Sequence, residues 1–239
     1  MIDSFVTIVP AAGSGDRFSD DVPKQFLTIG DKSILDLSIE PLLDFSECLG
    51  ICIVVAPDDQ YHKSLKICEN PKISIIEGGI TRMSSVTNGV LFWKDSGLSF
   101  KNILVHDSVR PCLRSSEVRV LLESMSVTDI DGVILGSSCS DTVKEINKKD
   151  LSIRRTLDRE RLWTAFTPQI FKKEVLFNAT IENMHDDKIF TDEASLVEVN
   201  GGKLKMIQGS KDNLKITLPE DINLAKSILI SHGRLETVL

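Results

Sequence analysis

Short apolar runs alternate with helical patterns along most of the chain. The runs are rich in Val and Ile, as expected of strands buried on both faces of a sheet, and they cover Phe5–Pro10, Cys52–Ala56, Ile73–Ile76, Asn102–His106 and Val133–Gly136. Apolar residues at three- and four-residue intervals predict helices over Ile34–Leu43, Ser84–Trp93, Ser116–Met125 and, at the end of the chain, Pro219–Ile230. This alternation predicts an α/β fold, a Rossmann-like, doubly wound and mostly parallel sheet in a single domain over residues 1–239.

One polar stretch, residues 137–167, interrupts the alternation, and we place the arm within it at residues 137–164. Its residues are strand-like rather than core-forming, and Asn147–Asp150 is a plausible turn between two extended segments. A hairpin with so few apolar residues cannot bury itself alone, so it is either a flexible flap or an arm that packs on a partner chain. Because apolar residues close the stretch at Leu162, Trp163 and Phe166, we favour a protruding β-arm.

The charge balance restricts the class of partner. The 239 residues include 28 Lys and Arg against 35 Asp and Glu, which gives 28 − 35 = −7. Such an acidic chain is a poor candidate for a general nucleic-acid-binding surface. It can still hold an anionic substrate, because a few local basic residues override the net charge.

Cysteine usage and hydropathy indicate a cytoplasmic protein without a membrane association. The five cysteines are an odd number without CxxC spacing, which is typical of reduced thiols. No segment reaches the ~18 consecutive apolar residues of a membrane span, and the first residues lack the features of a signal peptide.

The strongest local signal is VPAAGSGDRFSDDVPKQF, which follows the first predicted strand at Val9–Phe26. The minimal side chains of Ala11–Gly15 allow a ligand to approach the backbone, whose amides can point at phosphate oxygens. Arg17 and Lys24 add two positive charges beside this loop. Together these features favour a phosphate-binding loop.

The sequence of this loop does not match two familiar phosphate-binding motifs. A Walker A loop needs Gly-Lys-Ser/Thr, but Gly15 is followed by Asp16 and Arg17. A dinucleotide fingerprint needs Gly or Ala where Phe18 stands, and Pro23 interrupts the helix that should follow. A merely tight turn would explain the glycines but not the neighbouring cations.

The loop resembles the AAGxGxR…PKQ signature of nucleotidyltransferases that join a sugar or polyol phosphate to a nucleoside triphosphate. Further motifs occur in family order: GGITRMSSVTNG (Gly78–Gly89), VHDSVRP (Val105–Pro111), SDTVKE (Ser140–Glu145), DRERLWTAFTPQIF (Asp158–Phe171), TDEASLVE (Thr191–Glu198) and NLKITLPEDI (Asn213–Ile222). Together they resemble the 2-C-methyl-D-erythritol 4-phosphate cytidylyltransferase family over essentially the whole chain.

The resemblance implies that a phosphate oxygen of the polyol phosphate attacks the α-phosphorus of CTP, with pyrophosphate as the second product. It implies catalytic roles for Arg17, Lys24 and Lys215. It implies CTP contacts from Ala11, Ala12, Gly13, Gly15, Gly79, Ser85 and Asp107. It implies polyol-phosphate contacts from Thr142, Arg159 and Thr167, with Lys215 again. Without the resemblance, Lys215 is a single lysine between the apolar residues Leu214 and Ile216, on a segment that we expect to be a strand.

The resemblance also implies a cofactor and an assembly. A Mg²⁺ ion would bridge phosphate oxygens mostly through the nucleotide and water, and Asp107 is the one candidate protein ligand. In the family the arm crosses to the other subunit, so each active site of a homodimer is completed by the partner.

Several alternatives stay open at this point. Ser108 and Val109 resemble the ribitol-5-phosphate cytidylyltransferases, whereas DRERLW and TDEAS resemble the methylerythritol group. A non-catalytic nucleotide-binding protein is disfavoured, because it would need neither Lys24 nor Lys215. For the remaining polar residues we expect packing for His106, and either substrate contact or a scaffold role for Arg110. The carboxylates Asp192 and Glu193 are expected to brace their loop rather than to bind metal.

Overall fold

The computed structural model describes residues 2–13, 22–126, 129–184 and 190–236. The strands are β1 (Phe5–Pro10), β2 (Thr28–Ile29), β3 (Lys32–Ser33), β4 (Cys48–Val55), β5 (Ile73–Glu77), β6 (Asn102–Val105), β7 (Gly132–Ser138), β8 (Lys144–Ile146), β9 (Ile153–Thr156), β10 (Trp163–Lys172) and β11 (Leu204–Gln208). The helices are α1 (Ile34–Leu43), α2 (Arg82–Asp95), α3 (Ser115–Met125), α4 (Lys173–Glu182), α5 (Glu193–Val199) and α6 (Asp221–Ser231).

Seven of the described strands form one sheet in the order β11-β7-β10-β6-β1-β4-β5. All neighbours are parallel except β10, which runs antiparallel to both β6 and β7. The chain builds outward from β1 through β4 to β5 and then returns to place β6 on the other side of β1. The carboxyl ends of β1 and β6 therefore lie at the switch point, where open α/β sheets bind their ligands.

Helices cover both faces of this sheet. Alternate residues of β1 face opposite sides, so that Phe5 and Val9 pack with α1 and α3 whereas Val6 and Ile8 pack with α2, α4 and α5. Both layers are closed by apolar side chains with almost no exposure, and α6 packs against the start of α1 in a third cluster. The prediction of a doubly wound, mostly parallel α/β fold is confirmed.

The predicted elements match observed ones, but four of the larger elements were not predicted: β10, β11, α4 and α5. The ends of β1 and α1 agree with the prediction, and the other predicted elements differ by a few residues at their ends. β10 was missed because it begins inside the polar stretch and its first three residues, Trp163–Ala165, are exposed, whereas Phe166–Phe171 are buried. Its pairing with β7 shifts register between Phe166 and Gln169, where the Thr167–Pro168 peptide is cis.

The polar stretch forms the hairpin β8–β9, whose turn lies at Asn147–Asp150 with a Leu151 N–H to Asn147 C=O bond of 2.9 Å. The predicted arm, residues 137–164, begins and ends within strands of the large sheet. Ser137 and Ser138 pair with Thr164 and Trp163 inside the large sheet. Ser137 is buried, with its Oγ 3.0 Å from Thr164 Oγ1, and its polar side chain gave no sign of this burial in the sequence.

All five cysteines are free thiols, and Cys48, Cys52 and Cys112 are buried. Burial raises the pKa of the Cys52 and Cys112 thiols to about 12, which keeps them protonated and unreactive. No helix in the described ranges is long and apolar enough to cross a membrane.

Candidate active site

The loop after β1 is fixed by a side chain further along the chain. Gln25 is buried in the short turn Lys24–Phe26, and its Nε2 donates to the carbonyls of Ala11 at 2.7 Å and Gly13 at 3.1 Å. Lys24 Nζ donates to the carbonyl of Ile216 at 3.0 Å. The PKQ motif therefore holds the start of the loop in place. Gly15 and Arg17, two predicted phosphate contacts, lie outside the described residues.

A second loop, between β5 and α2, faces the first. Thr81 caps α2 through a reciprocal pair of bonds with Ser84, and Ser85 Oγ accepts from the Gly79 N–H at 3.2 Å. A Cβ on Gly78 would lie 2.7 Å from Ser85 Oγ and 2.8 Å from Ala12 Cβ. Only glycine allows the two loops to approach this closely.

These two loops enclose a cavity of about 190 Å³, which we call the loop cavity. Its lining includes the predicted nucleotide contacts Ala12, Gly13, Gly79, Ser85 and Asp107, together with Lys24 and Lys215. Ala11 is buried directly behind it. The structure thus brings the predicted nucleotide contacts that it describes together with the two lysines, although these residues come from separate segments of the chain.

Asp107 follows β6 and accepts three cations on one buried carboxylate. Oδ1 lies 3.2 Å from Arg82 Nη2, while Oδ2 lies 3.0 Å from Lys215 Nζ and 3.2 Å from Arg110 Nε. The Arg82 guanidinium also binds Glu193 in bidentate fashion, at 2.6 and 3.1 Å. We call these five residues the ionic junction.

The charges of the ionic junction stabilise one another. Burial by itself would raise the pKa of Asp107, but the charges of Arg82, Lys215 and Arg110 hold it well below its usual range. Burial likewise opposes the charge on Arg82, yet Glu193 and Asp107 raise its pKa above the ordinary value. Both groups are therefore ionised at neutral pH.

A second cavity of about 260 Å³, the outer cavity, adjoins the first. Its lining includes Arg110, Thr167, Gln169, Thr191 and Asp192. Three residues line both cavities: Arg82, Asp107 and Lys215. These three members of the ionic junction therefore form the wall between the two spaces and offer cations to both.

Thr167, a predicted acceptor contact, lies at the outer cavity but has its hydroxyl engaged elsewhere. Its Oγ1 accepts from the Asp107 N–H at 2.9 Å and lies 3.1 Å from His106 Nδ1. A hydroxyl that accepts from Asp107 can donate its own hydrogen to Nδ1, which leaves the ring proton of His106 on Nε2. Thr167 and the buried His106 therefore hold the Asp107 backbone, in keeping with the packing role expected for this histidine.

The structure does not bring Thr142 or Arg159 to either cavity. Both are exposed on the hairpin side of the molecule, and Arg159 Nη1 donates to the carbonyl of Ser140 at 2.6 Å. The predicted strand at Lys215 is also wrong. Lys215 lies on an extended segment outside the described strands, because the neighbouring Ile216 N–H makes a single bond, to the Val109 carbonyl.

Three other expectations concern residues at or beside the outer cavity. Arg110 Nη1 donates to the Asn213 carbonyl at 2.8 Å and its guanidinium lies over the Phe166 ring, contacts that are compatible with a scaffold role. Asp192 caps α5 by accepting from the Ser195 N–H. Glu193 is fully buried against Arg82. Both carboxylates are thus engaged within the protein, one as a helix cap and one with Arg82, and the bracing role stays a prediction.

Sequence reasoning missed Arg82 and Gln25. A cation at the start of a helix, directly after Gly78 and Gly79, is a signal that could have identified Arg82. Gln25 carried no such signal, because its role depends on the fold that brings Ala11 and Gly13 within reach of its amide.

No group of three or more His, Cys, Asp or Glu side chains with metal-ligand spacing occurs within the described ranges. Both Asp107 oxygens are already taken by cations. The described side chains therefore do not form a resident metal centre, and a metal ion would need most of its ligands from a bound anion.

A glycine-rich loop at a sheet switch point, with a second cationic cavity beside it, defines a phosphate-handling α/β transferase. The family described as 2-C-methyl-D-erythritol 4-phosphate cytidylyltransferase matches residues 5–231. The protein of that name from Vibrio vulnificus (strain YJ016) is 38% identical over 226 residues, which cover 95% of this chain and 94% of the relative. That from Haemophilus influenzae (strain PittGG) is 37% identical over 231 residues, which cover 96% and 98%.

The solved structures agree with the sequence relatives. The 2-C-methyl-D-erythritol 4-phosphate cytidylyltransferase of Francisella tularensis superposes with a TM-score of 0.77 at 28% identity, over 95% of this chain and 100% of that one. The chain is thus a nucleotidyltransferase. It belongs to the 2-C-methyl-D-erythritol 4-phosphate cytidylyltransferase family.

The buried histidine gives a pH-dependent stability that can be measured. Burial lowers the pKa of His106 to about 3, against the partial opposition of Asp107, whereas in the unfolded chain it titrates near 6.5. The unfolded state thus binds the extra proton, and stability that is present above pH 6.5 is lost as the pH falls towards 3. His106→Asn keeps a polar group towards Thr167 but removes this titration.

We expect the stability advantage of the wild type over His106→Asn to shrink by about 2 kcal/mol between pH 7 and pH 5. Urea unfolding at each pH, followed by tryptophan fluorescence, measures it. If the free energies of unfolding of the two proteins change equally with pH, the folded state does not hold His106 neutral.

Proposed function

We propose that the loop cavity holds CTP, that the outer cavity holds 2-C-methyl-D-erythritol 4-phosphate, and that the two phosphates meet at the ionic junction. The observation that carries this proposal is the shared wall of Arg82, Asp107 and Lys215. A phosphoryl transfer needs two anions in line and a neutralised transition state, and it needs little covalent help from protein. A wall that presents cations to two adjoining spaces meets both needs.

The chemistry balances without a protein base. A phosphate oxygen of the polyol forms a bond to the α-phosphorus of CTP as the bond from that phosphorus to the β-phosphate oxygen breaks. The products are 4-diphosphocytidyl-2-C-methyl-D-erythritol and pyrophosphate. The attacking oxygen is already an anion, so His106 and the carboxylates have no proton to remove.

Lys24 and Lys215 are proposed to stabilise the charge that develops on the phosphates, together with Arg17. Lys24 Nζ is anchored at the Ile216 carbonyl, one residue after Lys215. The Lys24 ammonium is therefore held beside the segment that carries Lys215, although the two lysines come from distant parts of the chain. Lys215 is half-exposed beside a buried partner, so its ammonium can reach a phosphate while Asp107 fixes its position.

The pyrimidine is proposed to lie between the two loops, against Ala11, Ala12, Gly13, Gly79 and Ser85. Backbone amides and carbonyls can read the edge of cytosine where the side chains are this small. The close approach of Gly78 to Ala12 and Ser85 limits the width of the space, which favours a pyrimidine over a purine.

A divalent cation, Mg²⁺ in our proposal, would come with the nucleotide. It would neutralise charge on the phosphate oxygens. Asp107 could join its ligands only by giving up a contact with a cation of the ionic junction, so the phosphates and water supply most of the coordination.

The acceptor is proposed to be methylerythritol phosphate rather than ribitol 5-phosphate. The residues that suggested ribitol, Ser108 and Val109, line the loop cavity and not the outer cavity. Ser108 Oγ donates to the Pro10 carbonyl, which supports a role for this residue at the nucleotide loop rather than at the polyol.

Thr142 and Arg159 are proposed to act in the active site of a second copy of the chain. The β8–β9 hairpin exposes Ile146, Leu151 and Ile153, apolar side chains that a partner would cover. A homodimer in which each hairpin reaches the partner's outer cavity would give Arg159 a phosphate to bind.

Pyrophosphate release tests the proposed reaction directly. With CTP and Mg²⁺ we expect release with methylerythritol phosphate and at least 10²-fold less, in kcat/KM, with ribitol 5-phosphate, since a site built for one polyol leaves buried polar groups unpaired with the other. Equal rates would contradict the acceptor assignment. CTP binding without release with either acceptor would indicate a non-catalytic nucleotide-binding protein.

Removal of either lysine should lower turnover. We expect Lys24→Ala and Lys215→Ala each to lower kcat by on the order of 10²-fold or more, because preorganised charge is lost. Lys226→Ala, at an exposed position on α6, is the matched control and should retain wild-type kcat. Wild-type rates in folded Lys24 and Lys215 variants would contradict the catalytic assignment.

Mixed dimers test the shared active site. A chain with Lys24→Ala and a chain with Arg159→Ala each lack one function, but one of the two sites in their heterodimer combines an intact loop with an intact arm. Differentially tagged, purified heterodimers should therefore recover about half of the wild-type activity. No recovery in confirmed heterodimers would show that each chain supplies its own Arg159.

A further inference from the structure

Glu193 is a completely buried carboxylate that does not line either cavity. It is the first residue of α5, its side chain has no exposed surface, and both oxygens bind Arg82. The linings of the loop cavity and the outer cavity do not include it. Whatever Glu193 contributes to the reaction, it contributes through Arg82.

Arg82 is placed where its position matters to both substrates. Its side chain is 30% exposed and lines both cavities. Nε and Nη2 face Asp107 at 3.3 and 3.2 Å, while Nη1 and Nη2 face Glu193. Two carboxylates on different sides thus fix the guanidinium, and neither one alone determines its orientation.

Glu193 also connects this arginine to the outer cavity. The preceding residues, Thr191 and Asp192, line that cavity, and Asp192 caps the helix that carries Glu193. A ligand that contacts Thr191 or Asp192 therefore touches the same rigid segment that holds Arg82 at the edge of the loop cavity.

We propose that Glu193 is a positioning residue for the cytidylyl transfer, one that holds Arg82 across the wall between the two substrate cavities. Without the Glu193 charge, Arg82 has only Asp107 as a fixed partner and turns towards whichever phosphate is bound. The phosphates then meet a displaced cation, and misalignment of this kind lowers the rate of the chemical step more than it lowers binding. This inference rests on the proposed function of the two cavities.

The experiment is a double-mutant cycle on the full-length protein. Glu193→Gln removes the charge with little change in shape, and Arg82→Met removes the guanidinium. The double variant removes both and leaves no unpaired buried charge. Glu193→Asp keeps the charge on a shorter side chain, and Glu198→Gln, at an exposed position of the same helix, is the matched control. The measurements are kcat, KM for both substrates, CTP affinity by titration and the Tm of each variant.

We expect Glu193→Gln to lower kcat by about 10- to 100-fold with a change in KM for CTP below about threefold. Glu193→Asp should recover part of the loss, and Glu198→Gln should match the wild type. In the Arg82→Met background, Glu193→Gln should cause no further loss of kcat, because its effect passes through the arginine.

Independent, multiplicative losses in the double variant would overturn the proposal, as would wild-type kcat in folded Glu193→Gln. If Glu193→Gln does not fold, the comparison of Glu193→Asp with the wild type and of the double variant with Arg82→Met decides the question. A wild-type protein that binds CTP but does not turn over would count against the proposed function instead, so the two failures can be distinguished.

Discussion

One buried carboxylate, Asp107, organises the centre of this molecule. It lies at the end of β6 with almost no exposure and accepts contacts from Arg82, Arg110 and Lys215. A buried charge without a partner is costly, on the order of 3–5 kcal/mol when one member of a buried pair is removed. The fold therefore has to bring the three cations to this point, and in doing so it assembles the walls of both cavities.

The partners of Asp107 come from segments far apart in the chain, which explains why the site is a property of the fold. Arg82 starts α2 on one side of the sheet, whereas Lys215 lies on the segment that leads to α6. Glu193 on α5 holds Arg82 from the other side. Arg82 and Lys215 both contact Asp107 and also line the loop cavity and the outer cavity. Their remaining N–H groups are therefore available to phosphates bound in those two cavities.

The fold could be predicted well because its core depends on simple periodicity. Buried parallel strands are short apolar runs, and helices such as α1 repeat apolar residues at helical intervals. β10 was missed because it begins inside the polar stretch and its first three residues are exposed. Ser137 was assigned to the arm because its side chain is polar, although the fold buries it. The candidate site was predictable only where small residues and cations cluster locally, as at Gly13 and Lys24. Arg82 stood beside a local signal, the glycines that precede its helix, whereas Gln25 acts through partners more than ten residues away, which no local pattern contains.

A structure of the protein with CTP and 2-C-methyl-D-erythritol 4-phosphate bound would examine the arrangement most directly. We predict cytosine between the Gly13 and Gly79 loops, the acceptor phosphate in the outer cavity, and the two reacting phosphates on opposite sides of Asp107 with Lys215 between them. We further predict Arg159 of a second chain beside the acceptor. Both substrates in one cavity, or phosphates bound away from Arg82 and Lys215, would contradict the role assigned to the ionic junction.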